Sequence, residues 1–172
     1  MLLCSIQNTA IFNQAWLQTR PRITQQFGLN PQIYSRFGMK GHNGIDYGVP
    51  VGTKVFAPMD GVIKVKDSGQ DGYGLHVKLR NEWKAAEIVL GHLSQVVVTN
   101  GGRVSMGDLI GYSGNTGFST GPHVHEGFRL LKPSDADIFS WKVLDYNNGF
   151  AGYIDHLEYL ITFKGGFLKN NL

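Results

Sequence analysis

Gly121-Pro122-His123-Val124-His125-Glu126 decides how this chain is read. Side chains of an extended strand alternate between its faces, so the two imidazoles of the H-x-H pair share one face while Glu126 takes the other. Two ring nitrogens then look into one space. Well upstream, Gly41-His42-Asn43-Gly44-Ile45-Asp46 can bring one more nitrogen and one carboxylate oxygen to it. That is a mixed N/O donor set of the kind zinc accepts, and it predicts a hydrolytic zinc site.

His42 and Asp46 stand four apart, a spacing that a helix would place on one face. Gly41, Gly44, Gly48 and Pro50 oppose a helix, so the pair is expected on a turn leading into a strand. Alone, Asp46 reads as a solvated turn aspartate, and only the company of other histidines changes that. His92, in the apolar run Ile88-Val89-Leu90-Gly91-His92-Leu93, would alone be a satisfied structural histidine. His76 shares a face with Lys78 and Arg80, which predicts that it points to solvent.

The 172 residues suffice for one domain with a sizeable core, without disulfides or oligomerisation. Glycines and prolines (23 and 6) exceed the usual share without reaching low complexity, which suits many short strands joined by tight turns. The single cysteine, Cys4, excludes an intramolecular disulfide framework. Met1-Leu2-Leu3-Cys4 shows neither a basic n-region nor a long apolar h-region, and no apolar run is long enough to span a bilayer. The formal charge of +3 is mild and scattered, which argues against nucleic acid as a partner.

Residues 1–20 read as a peripheral segment, where Ile11, Phe12, Ala15, Trp16 and Leu17 could form one short helix outside the main fold. The domain proper is expected over 21–165, with an extension from about 130, and 166–172 as a tail. Arg22 to Gly28 reads as a strand, followed by a loop through Asn30-Pro31. Thr53 to Pro58 and Gly61 to Lys66 alternate on either side of Met59-Asp60-Gly61, which predicts an antiparallel meander turning at Asp-Gly. Gly69 to Gly74 is a turn, and Asn81 to Glu87 is a polar loop whose Trp83 either contacts substrate or caps the core edge. Val96 to Val98, the turn Asn100-Gly101-Gly102 and Arg103-Val104 continue the pattern. The expected fold is therefore mainly β: antiparallel sheet with few short helices and a zinc site in a groove. Gly107, Gly111, Gly114 and Gly117 do not make a phosphate loop, because G-x-x-x-x-G-K-[ST] and a βαβ context are both absent. They are expected to let the backbone approach a substrate and to bring His123 and His125 into place. Beyond Pro133 the pattern weakens, and His156 reads as a surface residue.

Four stretches, in order, carry a family resemblance. They are Gly41-His42-Asn43-Gly44-Ile45-Asp46-Tyr47; Gly52 to Pro58 with Asp60-Gly61-Val62; Gly91-His92-Leu93-Ser94; and Gly107 to Gly117 running into Gly121-Pro122-His123-Val124-His125. From about Arg22 to Arg129 the chain resembles the lysostaphin-type, or LytM-type, zinc endopeptidases, which cut peptide cross-links in bacterial cell walls. The resemblance implies that His42, Asp46 and His125 hold one zinc ion per chain and that His123 and His92 are the catalytic pair. Three protein ligands would leave a position open, as a catalytic zinc requires. Zinc would lower the pKa of water to about 7 and polarise the scissile carbonyl, while the two imidazoles would take a proton or steady the oxyanion.

Where the family commonly carries Phe-Glu after H-x-H, this chain has Glu126-Gly127. Glu126 should face away from the metal and reach solvent or a partner there, or the local packing differs. The implied partner is peptidoglycan peptide, met by a monomer at the cell wall, whether periplasmic, extracellular or virion-associated. The alternative is a non-catalytic wall-binding or regulatory module, such as a phage particle component. The segment beyond Arg129 weakly resembles extensions of phage-borne members. The loops Gly69 to Gly74, Asn81 to Glu87 and Phe118 to Gly121 are the expected readers of the bond to be cut.

Overall fold

The computed structural model describes Leu17 and residues 21–157. Of the expected N-terminal helix only Leu17 is described, and it forms a β-bridge with Val55 and is buried in the core rather than lying outside the fold; Cys4 and the 166–172 tail lie outside the described residues. In chain order the elements are β1 (Arg22–Gln25), α1 (Pro31–Tyr34), β2 (Ile45–Gly48), β3 (Lys54–Phe56), β4 (Gly61–Asp67), β5 (Leu75–Asn81) and β6 (Ala86–Gly91). Then follow β7 (Leu93–Val96), β8 (Arg103–Val104), β9 (Leu109–Ser113), β10 (His123–Lys132), β11 (Lys142–Val143) and β12 (Tyr153–Ile154). The architecture is mostly antiparallel sheet, as the alternating segments predict.

The large sheet runs β1-β2-β10-β6-β5-β4-β8, and a smaller one runs β3-β9-β7. β10 is the spine of the large sheet. Its first half pairs with β2, its second half with β12 and β11, and its other edge with β6. One face of the large sheet carries Val124, Phe128, Ile88, Leu90, Val77, Leu79 and Ile63, which join Val55, Leu93 and Ile110 of the small sheet in a single buried cluster. Full burial of each such side chain is worth about 1.5–3 kcal/mol. The opposite face carries His76, His123 and His125.

Two local expectations are corrected. Asn30-Pro31 opens a short helix rather than continuing a loop: Asn30 takes a left-handed conformation (φ 56°), Pro31 stands at the start of α1, and a 3-10 turn ends at Gly38 (φ 70°). Proline has no N–H to waste at a helix start, so a residue read as a loop marker is a helix initiator. The Thr53–Lys66 stretch is not a hairpin either, because β3 pairs with β9 in the small sheet while β4 pairs with β5. Asp60 uses its carboxylate to accept the Met106 N–H at 2.7 Å, tying the crossing between sheets to a neighbouring turn.

Candidate metal centre

Register places the first donors. His125 on β10 lies directly opposite Asp46 on β2, and cross-strand partners share a face. His42 reaches the same point from the turn before β2, which is held where the Gly28 N–H meets the His42 carbonyl (2.8 Å) and the His42 N–H meets the Leu29 carbonyl (2.9 Å). The His42 Nδ1–H donates to the Gln26 carbonyl at 3.1 Å, which leaves a lone pair on Nε2. That Nε2 stands 2.9 Å from His125 Nδ1 and 3.1 Å from Asp46 Oδ1, and His125 Nδ1 is 3.0 Å from the same oxygen.

All three residues are buried, and the trio could hold a metal ion. Ligand atoms about 2.0–2.2 Å from a tetrahedral zinc stand roughly 3.3–3.6 Å apart, so the trio takes the ion by opening a few tenths of an ångström. The remaining nitrogen, His125 Nε2, is buried with no hydrogen-bond partner among the described residues. Burial pushes the His125 imidazole down to about 4, so it is neutral at pH 7. Burial alone would raise the Asp46 carboxyl, but the His125 and His42 imidazoles beside it outweigh burial and hold the group well below the usual carboxylate range. A neutral imidazole beside an ionised carboxylate is the protonation that metal ligation needs. Gly44 makes the convergence possible, since a Cβ there would run into the Glu126 carbonyl and stand 2.5 Å from His125 Cε1.

His92 and His123 stand beside this trio, with ring centroids 4.5 Å apart. Their Nδ1–H groups donate to backbone carbonyls, His92 to Thr116 and His123 to Gly121, each at 2.7 Å. Both Nε2 atoms therefore keep lone pairs, and that of His123 lies 3.6 Å from Asp46 Oδ2. Burial first, then the neighbouring His125 and His123, push His92 down to about 4. Its backbone is left-handed (φ 62°), a conformation that costs a non-glycine residue about 1–3 kcal/mol and that clusters at functional sites. That kink ends β6, sends the chain into the other sheet as β7, and aims the ring into the groove. Gly117 serves the same end. A Cβ on it would stand 2.7 Å from the Gly72 carbonyl oxygen, so the close approach made by this glycine is to the protein's own loop, next to the Thr116 carbonyl that orients His92.

The groove around the five residues is walled by Tyr34, Phe37, Tyr73, Phe118, Arg129 and Tyr153, among others. Sequence reasoning missed Tyr34, Phe37 and Tyr153, while Tyr73 and Phe118 lie in loops it named. Tyr34 accepts from Gln25 Nε2 at 2.9 Å, and Asn43 donates to the Tyr73 hydroxyl at 2.6 Å. Nothing local marks Tyr34, because it is defined by what the fold sets opposite it. Of the three loops expected to read substrate, 69–74 and 118–121 line the groove. Trp83 of the 81–87 loop does not; it is 96% exposed, so it caps no core, and it borders a separate depression with Asp60 and Arg103.

Three further expectations are corrected by burial. His76 is 3% exposed rather than solvated, donating from Nδ1 to the Gly74 carbonyl at 2.7 Å. It does share a face with Lys78 and Arg80, but this is the histidine-bearing face, covered by Tyr73 and by residues of the 137–154 segment. Glu126 is 1% exposed and lies 3.3 Å from His156, itself 1% exposed, so His156 is no surface residue. Glu126 faces away from the metal trio, as alternation requires, and meets a buried partner from the far end of the described chain.

Residues 40–136 match the sequence profile of peptidase family M23. A protein of Haemophilus influenzae named an uncharacterized metalloprotease is 37% identical over 114 residues, 66% of this chain and 24% of that protein. The DD-carboxypeptidase/endopeptidase Mpg of Neisseria meningitidis is 38% identical over 117 residues, 60% of this chain and 26% of that protein. The chain thus spans about a quarter of the length of these relatives. Among solved structures, the catalytic domain of the prophage-encoded M23 protein EnpA of Enterococcus faecalis superposes with a TM-score of 0.57 at 32% identity, covering 67% of this chain and 85% of that one. Lysostaphin of Staphylococcus simulans, at 24% identity, shares the fold with a TM-score of 0.62 over 88% of this chain and 52% of its own. Profile, relatives and fold agree on one assignment: the chain belongs to peptidase family M23.

Proposed function

We propose that this protein is a zinc endopeptidase that hydrolyses peptide cross-links of peptidoglycan. His42, Asp46 and His125 hold the zinc, and His92 and His123 act as the catalytic pair. One observation carries the reading: three donor atoms of the right chemistry meet within 3.1 Å at the floor of an open groove. A zinc ion held there supplies Lewis acidity, lowering the pKa of water to about 7 and polarising a carbonyl.

The chain's own residues do the rest. With both Nδ1–H groups committed to backbone carbonyls, His92 and His123 offer Nε2 as proton acceptor, and as imidazolium either can return the proton to the leaving amine. The carbonyl partners fix tautomer and ring orientation, so no rotation is needed during turnover. The choice of peptidoglycan is supported by named relatives, among them the peptidoglycan DD-endopeptidase ShyA of Vibrio cholerae, 39% identical over 85 residues. The active domain extends over residues 21–165, and it works at the cell wall as a monomer.

The test is mass spectrometry of fragments released from purified peptidoglycans by zinc-loaded protein, chelated protein and His123→Ala. Zinc-dependent release that His123→Ala abolishes supports the reading, and the fragment masses name the bond. No release from any wall, with wall binding retained, overturns it in favour of a non-catalytic module.

A further inference from the structure

We propose that Lys78 forms a subsite for a carboxylate of the bound peptide, on the floor of the same groove. The proposal rests on the peptidase reading above and adds to it a charge requirement in the substrate.

Register sets the position. His125 and Gly127 of β10 oppose Gly91 and Val89 of β6, and Val89 opposes Lys78 of β5. Lys78 therefore shares the face of His125, two strands across and two residues along. At about 4.8 Å per strand and 3.4 Å per residue the two Cα atoms stand roughly 12 Å apart, the reach of three or four extended residues. The Tyr153 ring packs over Gly127 between them and lines the groove together with Lys78, so a peptide reaches Lys78 alongside that ring.

The charge count then points to an anion. Three cations, Lys78, Arg80 and Arg129, surround one buried carboxylate, Glu87. That carboxylate is fully engaged by the arginines: Arg80 Nε donates at 2.5 Å, and Arg129 donates from Nε at 2.8 Å and from Nη2 at 2.6 Å. The arginines spend further donors on the carbonyls of Ile138 (2.6 Å) and Ala151 (3.1 Å). Lys78 is left over. Its Nζ lies 4.0 Å from Glu87, beyond hydrogen-bond reach, and its side chain, 21% exposed, opens into the groove beside Tyr73 and Tyr153. Burial, with Arg129, Lys66 and Arg80 nearby, lowers its pKa despite Glu87, so the free protein holds this ammonium at a cost. A ligand carboxylate would supply the missing counter-charge and accept a charge-assisted hydrogen bond. A peptide's own anions are carboxylates, from a chain terminus or an acidic side chain.

The experiment uses cross-linked peptides purified from peptidoglycan, in native form and with their carboxylates converted to carboxamides. Cleavage is followed with zinc-loaded wild type, Lys78→Met and Lys78→Arg; binding of both peptides is measured in parallel to zinc-loaded His123→Ala and to the double variant His123→Ala, Lys78→Met. Wild type is expected to favour the free acid in kcat/KM by roughly tenfold to a hundredfold, the scale of one hydrogen bond between charged groups. Lys78→Met should bring that ratio close to one, mainly through KM, and Lys78→Arg should retain most of it. Melting of Lys78→Met should not fall, since the substitution relieves repulsion. Equal use of acid and amide by wild type, or an acid preference that survives Lys78→Met, overturns the proposal. The binding arm separates the two readings: a Lys78-dependent preference for the acid without any cleavage sinks the peptidase and keeps the subsite, whereas cleavage without preference does the reverse.

Discussion

Replacing His125 by alanine should empty the metal site, while replacing His123 should leave it filled and idle. Metal analysis of the purified variants is expected to give about one zinc per chain for wild type and His123→Ala, and nearly none for His125→Ala. Peptide cleavage should fall about 10²- to 10⁴-fold in His123→Ala, the usual worth of a positioned acid–base group. Glu126 permits a pH prediction with a definite sign. Burial pushes its carboxyl up to about 8, the Tyr47 hydroxyl opposing and Asp155 adding, against an ordinary value of 4.5. Between those values the folded protein keeps a proton that the unfolded chain has released. Its contribution is thus complete below pH 4.5 and is lost as pH rises through about 8. Glu126→Gln removes that loss, so urea unfolding should find the variant close to wild type near pH 4.5 and more stable at pH 8, by about 1.4 kcal/mol for each unit of the window crossed. At this scale the H-x-H pair and the His42–Asp46 bend were legible from alternation and turn residues, whereas His92 joined them only through the family resemblance. Their orienting partners were not: the Gln26, Thr116 and Gly121 carbonyls belong to the backbone and leave no trace in residue identity.

Among the elements, β10 and its neighbours explain why readings of single strands went astray. The alternation of β5 correctly groups His76, Lys78 and Arg80, but whether a polar face is wet depends on what covers it, and the cover comes from residues 137–154. Tyr153 of β12 lies over Gly127, with its ring 4.6 Å from the Arg129 guanidinium. Tyr153→Ala should lower stability by about 3–5 kcal/mol, the range for large aromatic truncations, read as a fall in urea midpoint at constant slope. Glu87→Gln should cost a similar 3–5 kcal/mol, since it leaves buried arginines without their counter-ion. Neither role is marked locally: β12 is two residues long, and Glu87, read in the sequence as the end of a polar loop, lies in β6, where its importance comes from three cations on other strands.

For the molecule as a whole, metal and fold should prove linked. A ligand at a thousandfold its Kd stabilises the native state by about 4 kcal/mol, and each kcal/mol moves the melting point of a chain this size by about 2–4 °C. Chelation should therefore lower the melting temperature by roughly 8–16 °C in calorimetry, and zinc should restore it. The mainly antiparallel architecture was legible from period-two segments and turn residues. The division into two sheets was not, because β3 and β4 are adjacent in sequence yet choose partners far along the chain. The same long-range pairing has a temporal side. Asp46 and His125 are 79 residues apart. A ribosome adding about 5–20 residues per second delivers the second of them roughly 4–16 s after the first. Throughout that interval β2 has only the short β1 to lie against, and the donor trio does not exist. The geometry on which the proposed zinc site depends therefore cannot form in a nascent chain until its spine has emerged.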